Sequence, residues 1–210
     1  MNQFICVPLR SDPRHLEMIT RFVIDREYDI STIGDKVIGL ESYLKRCAWE
    51  DDFNNEVRIY LIIDTSMDEV AAYFGLKAGM VANAKYGMPS PHEKRRIMEE
   101  YGAKLLPEVA PGIEISHFAV NDNYRRLAGH KGKPIKGLGE YFYPAFIYPI
   151  IEEVATLIGV NIIYLYAAGD DRLVRYYEKV FAMQKLEEED FYIPLEPDYD
   201  GGCTFMYRLL

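Results

Sequence analysis

Apolar residues recur along the chain in two periods, and the switches between them set out the elements. Phe4 to Leu9 reads as a short strand. Ser11-Asp12-Pro13 then reads as a helix start, with Asp12 able to cap and Pro13 tolerated in the first turn. Leu16, Ile19, Phe22 and Val23 follow at helical spacing, and Val37 to Cys47 predicts a second short helix. Val57 to Asp64 and Val70 to Lys77 are β-branched, apolar runs joined by a short polar segment, an antiparallel hairpin signal. Residues 79–111 form a long excursion, read as an insertion between strands three and four, with a helix near Glu93 to Leu105. Ile113 to Val120 is a strand, and an apolar helical segment runs from about Tyr141 to Gly159. Pro144 and Pro149 fall inside that segment, so the helix either kinks or begins its regular part near Pro144. Val160 to Ala167 is a strand, Asp170 to Phe181 a helix, and Leu186 to Ile193 and Cys203 to Leu209 the last two strands. The order predicts a single α/β domain over 1–210, a mixed sheet flanked by helices.

Residues 113–140 carry the chemistry. A strand leads into a basic loop with Lys131, Lys133 and Lys136, then Gly137-Leu138-Gly139, then a helix. That arrangement offers backbone N–H groups and a helix dipole to a phosphate. A glycine pair alone often marks only a tight turn, and the lysines alone only a solvated loop. Glu114 is the acidic residue of the preceding apolar strand. Alternation places 114, 116, 118 and 120 on one face, so Glu114 is expected on the side of Phe118, with His117 packed facing away.

These residues resemble the GNAT superfamily of acetyl-CoA-dependent N-acetyltransferases. The family loop has Gln or Arg, two residues, Gly, one residue, then Gly or Ala; here it reads Pro134-Ile135-Lys136-Gly137-Leu138-Gly139. Asn123-Tyr124-Arg125 is similar to the family's turn after the fourth strand, although the stretch from Arg125 to Gly137 is longer than usual. The resemblance implies that backbone groups of Lys136, Gly137, Leu138, Gly139 and Glu140 hold the diphosphate of coenzyme A. It also implies that Phe118, Ala119 and Val120 pair with the pantetheine arm and polarise the acetyl carbonyl. Asp170 to Lys179 resembles a second family motif, with Asp170 for Asn and Leu173 for Ala. Asp170 is thereby expected at the cosubstrate site, although a helix cap would equally explain it. Tyr177 matches the tyrosine that protonates the departing thiolate, and Glu114 the base of histone-type members.

Composition bounds the partners. The chain is 49% apolar and 27% charged, as globular proteins are, and its net charge of −9 disfavours a general nucleic-acid binder. Three cysteines without short spacing suggest reduced thiols in a cytosol, and four scattered histidines show no metal spacing, so no metal is expected. Arg10, Asp12 and Arg14 interrupt any signal-like run, and no apolar stretch is long enough for a membrane span. The expected activity is acetyl transfer from acetyl-CoA to a primary amine of a small molecule or peptide, with a homodimer admitted and a cytoplasmic setting. The acidic segment with Asp198, Tyr199 and Asp200 would then line the amine's entrance. Two other readings remain. Toxin-type members act on aminoacyl-tRNA, and Met206-Tyr207 and the strand at Val70 to Lys77 resemble theirs; a non-catalytic acyl-CoA sensor is the second.

Overall fold

The computed structural model describes residues 3–25, 39–83, 109–168, 170–185, 192–194 and 203–210, with backbone alone at 82, 83, 109 and 192–194. One mixed sheet runs in the order β1 (Phe4–Pro8), β2 (Arg58–Asp64), β3 (Glu69–Asn83), β4 (Val109–Val120), β5 (Ile162–Ala167), β8 (Thr204–Leu209) and β6 (Gln184–Lys185). β7 (Tyr192–Pro194) pairs with the far end of β3. Only β4 and β5 run parallel among the described pairs. The predicted hairpin is β2–β3, turning at Asp68 in the left-handed region. β3 and β4 are longer than their apolar runs suggested, so 79–83 and 109–111 are strand. The helix expected near Glu93 to Leu105 lies outside the described residues, as do residues 186–191 of the strand expected at 186–193.

Along β5, Ile163, Leu165 and Ala167 join one core while Ile162 and Tyr164 join another, because successive side chains point to opposite faces. On the first face lie α5 (Leu138–Phe142), α6 (Tyr148–Ile158) and α7 (Asp171–Val180), which with Ile147 from the turn between α5 and α6 bury Phe142, Ile151, Val174 and Tyr177 on Phe74, Ile113 and Ile163. Burial of Phe142, Ile147 and Ile151 stabilises by roughly 1.5–3 kcal/mol each. The opposite face carries two separate clusters. One packs α1 (His15–Met18), α2 (Leu40–Arg46) and α3 (Ala48–Phe53) on Ile59, Leu61 and Tyr73. The other gathers Val81, Ala110, Tyr164 and Phe205. α3 has no counterpart in the expected order. The remaining helix, α4 (Asp122–Leu127), follows β4 directly, capped by Asn121 Oδ1, which accepts from Asn123 N–H at 3.0 Å.

The two prolines of the central helix are reconciled by a π turn, Tyr143–Ile147, between α5 and α6. Tyr148 N–H reaches back to Tyr143 O, so the widened turn passes Pro144 and Pro149 without a break.

Candidate active site

β5 follows β4 for only three paired positions, ending at Glu114 with Tyr164. Beyond it, Ile115 to Val120 pair with β3 on one side and with no strand among the described residues on the other. The two parallel strands thus part and leave a gap whose rim is backbone. A bulge marks the same place: His117 opposes Gly75 and Ile115 opposes Leu76, so Ser116 is an extra residue. Gly75 is required there, because a Cβ would lie 2.8 Å from Ser116 Oγ and 2.9 Å from Val57.

The glycine loop ends on the helix side of this gap. Gly137 adopts φ 74 as the residue before α5, a left-handed conformation that favours glycine, and a Cβ there would meet only the Glu140 carboxylate at 4.0 Å. Tyr141 N–H donates to Gly137 O at 3.1 Å, the first helical turn, leaving the N–H groups of Leu138, Gly139 and Glu140 at the positive end of the dipole. This suits an incoming diphosphate. Gly139 is explained differently: a Cβ would collide with Tyr176 Oη, and the Phe118 ring lies 3.5 Å away. The extra loop length is absorbed by a small hairpin, in which His130 and Lys133 exchange backbone hydrogen bonds of 3.1 Å around Lys131 and Gly132. Arg125 braces it, donating from Nε to Ile135 O at 3.0 Å while its own carbonyl accepts from Ile135 N–H at 3.0 Å. Lys131, Lys133 and Lys136 are exposed.

α7 faces the loop. Asp170 caps it, accepting from Arg172 N–H at 2.8 Å and from the Arg172 guanidinium, which holds its carboxyl below the usual range. Its position is therefore accounted for by the cap. Tyr177 is buried edge-on against Phe181, with ring centroids 4.9 Å apart. Burial pushes its phenol above the ordinary value, so it stays protonated. Among the described residues its Oη makes no hydrogen bond. Phe118 stands on this face, 5.7 Å from Phe181 between centroids, while Ala119 is buried on the other.

Glu114 does not share the Phe118 side. The extra residue at Ser116 shifts the alternation, so Ile113, Ile115, Phe118 and Val120 face the helix-side core, whereas Glu114 faces Tyr164 on the opposite surface. Tyr164 Oη donates to Glu114 Oε2 at 3.3 Å, and Lys77 is its cross-strand partner. His117 therefore lies on the same surface as Glu114 instead of facing away. It lines a cavity of about 460 Å³ with Tyr43, Asp51, Glu56, Val57, Lys77 and Ser116. Its ring stacks on Tyr43 at 3.7 Å and 8°, and Tyr43 Oη donates to Asp51 at 2.9 Å.

Sequence reasoning missed Tyr176, Tyr164 and the Tyr43–His117 stack. A signal for the bulge was present: Ser116-His117 places two polar residues in succession between Ile115 and Phe118, where strict alternation allows one. Residues 198–200 lie outside the described residues. Among the described residues no cluster of His, Cys, Asp and Glu is suited to a metal ion, and no helix is long and apolar enough to cross a membrane.

No family model and no curated protein matches the sequence. Solved structures do. The chain is similar to a tyrosine-to-phenylalanine mutant of KacT, with TM-score 0.61 and 12% identity over 99% of this chain and 95% of that one. It is similar to AtaT complexed with acetyl-methionyl-tRNAfMet, with TM-score 0.59 and 16% identity over 92% and 95%. It is also similar to AtaTR bound with AcCoA, with TM-score 0.57 and 14% identity over 98% and 94%. At these identities the likeness shows the fold: the chain has the acyl-CoA N-acyltransferase fold of the GNAT superfamily, as its loop and helix motifs implied.

Proposed function

We propose that the chain is an acetyltransferase that moves the acetyl group of acetyl-CoA onto a primary amine by direct attack in a ternary complex. The observation that carries this reading is the parting of β4 from β5 beyond Glu114, with a helix N-terminus beside it. The N–H groups at Lys136 to Glu140 bind the diphosphate, and the pantetheine arm lies against the backbone of Phe118, Ala119 and Val120. An N–H of that strand polarises the acetyl carbonyl as it becomes tetrahedral. Glu114 takes the proton from the acceptor's ammonium, directly or through water, and Tyr177 donates to the leaving sulfur. Asp170 contributes by holding the start of α7. A covalent relay through Cys6 is disfavoured, since burial pushes its thiol up to about 12.

The acceptor best supported is the α-amine of an aminoacyl-tRNA, because AtaT has been solved with acetyl-methionyl-tRNAfMet and shares this fold over nearly the whole chain. A free small-molecule or peptide amine is the second reading, favoured by the net charge of −9, which opposes a polyanionic partner. Radiolabelled acetyl-CoA offered with charged tRNA, uncharged tRNA and a panel of polyamines, amino acids, aminoglycosides and peptides separates them. Label on charged tRNA, weakening steeply with salt, supports the first. Label on the panel alone supports the second, and saturable CoA binding without transfer to any acceptor leaves an acyl-CoA sensor.

A further inference from the structure

The cavity on the far side of β4 has one feature the mechanism above does not use. His117 is half-buried, its Nδ1 lies 3.0 Å from Ser116 Oγ, and its ring is held by the parallel stack on Tyr43. Its other nitrogen, Nε2, has no hydrogen-bond partner among the described residues. The only side-chain polar atom among them that is both fully buried and unpartnered is Glu69 Oε2, so Nε2 keeps exposed surface, and His117 is one of the residues that line the cavity. The groups facing this ring are Tyr43 from α2, Asp51 from α3, Glu56 and Val57 before β2, Lys77 from β3, and Ser116 beside it. Burial first, and the Lys77 charge second, hold the imidazole down to about 4, so it is neutral throughout the range in which an acetyltransferase works. In the tautomer whose Nδ1–H donates to Ser116 Oγ, the neutral imidazole is a hydrogen-bond acceptor at Nε2.

We propose that this cavity receives the amine-bearing end of the acceptor and that His117 Nε2 accepts one of its N–H bonds, orienting the nitrogen for attack. The proposal rests on the acetyltransferase reading and deepens it by naming the acceptor pocket. The bulge at Ser116 is what brings His117 and Glu114 to one surface, three residues apart and within about 10 Å along the strand. An amine held by His117 keeps a second N–H, whose proton reaches Glu114 through water, because that carboxylate sits against Tyr164 outside the cavity's lining. As its lone pair forms the amide bond, the C–S bond breaks, the surplus amine proton goes to Glu114, and the thiolate takes its proton from Tyr177. His117 itself neither gains nor loses a proton. Its role is orientation, and the acceptor it suits is an amine already near neutrality, such as the α-amine of an aminoacyl ester.

Two substitutions separate this role from packing. His117→Phe keeps an aromatic ring on Tyr43 but removes the acceptor atom; His117→Gln keeps an acceptor atom near the Nε2 position and gives up the ring. With a pool of tRNA charged with the twenty standard amino acids as probe, His117→Phe is expected to raise the KM for charged tRNA about tenfold or more. The KM for acetyl-CoA and the melting temperature should be unchanged, and His117→Gln should recover most of the loss. A wild-type KM in His117→Phe, or a Gln variant as poor as the Phe variant while melting like wild type, overturns the proposal. A readout independent of turnover is the ¹⁵N resonance of His117 on addition of methionine methyl ester. Nε2 should move at saturation and Nδ1 should stay; no movement of Nε2 also overturns it. Loss of CoA binding by the wild-type protein would defeat the acetyltransferase reading instead, and leaves the resonance test intact.

Discussion

Replacing Tyr177 by phenylalanine removes one oxygen and little else. The ring would keep its edge contact with Phe181 at 4.9 Å, and among the described residues no partner loses a hydrogen bond. The expected change in stability is therefore within about 0.5 kcal/mol. The catalytic effect should be much larger. Loss of a positioned general acid costs roughly 10²–10⁴ in rate, but a thiol that titrates near ~8.5 departs tolerably without help. The lower end applies, a fall in kcat of about 100-fold, or about 2.7 kcal/mol in activation free energy. Because burial raises the phenol's titration above its ordinary value, no loss of activity on the alkaline side should arise from Tyr177 below pH ~10. Thiol release followed continuously gives kcat, calorimetry gives CoA affinity, and thermal melting reports packing. A kcat within twofold of wild type, with affinity and melting unchanged, removes Tyr177 from the mechanism.

Three further outcomes are expected. Glu114→Gln should lower kcat/KM most at pH ~6, where free amine is scarce, and converge towards wild type by pH ~9; a uniform loss would instead report damage to its contact with Tyr164. His117 makes stability pH-dependent: below about 6.5 the unfolded chain takes up a proton that the folded chain refuses down to about 4, so stability falls with pH across that window. The loss is at most about 3 kcal/mol, and urea unfolding should show it shrinking in His117→Phe; an identical slope in both proteins would refute it. Ala182, which follows α7, is held at φ 52, so Ala182→Gly should relieve up to about 1 kcal/mol and raise the melting temperature by about 2–4 °C. A lowered melting temperature would show that the Cβ contributes packing instead.

The sequence carried the sheet's apolar strands and the helix cap at Asp170 because each has a local cause, β-branched alternation or a side-chain oxygen before a helix. The face of Glu114 was not legible. One inserted residue at Ser116 reverses the alternation downstream, and a bulge depends on which residues oppose it across β3. Tyr176 against Gly139 and Tyr43 on His117 were equally invisible, because each pair joins elements far apart in the chain. The π turn resolved what propensity could not: two prolines five residues apart disrupt an α-helix but pass through one widened turn. The lengths of β3 and β4 escaped notice because Gly79 and Gly112, directly opposite each other, break the apolar pattern. They do so to make room for the Tyr164 ring, which a Cβ at either position would strike.

Amide hydrogen exchange with and without acetyl-CoA tests the central claim most directly, since the claim concerns particular backbone N–H groups. Added acetyl-CoA should slow exchange at Gly137 to Glu140 and along Ser116 to Val120, with little change in α2 and α3. Binding that leaves those two segments exchanging as before would contradict the account.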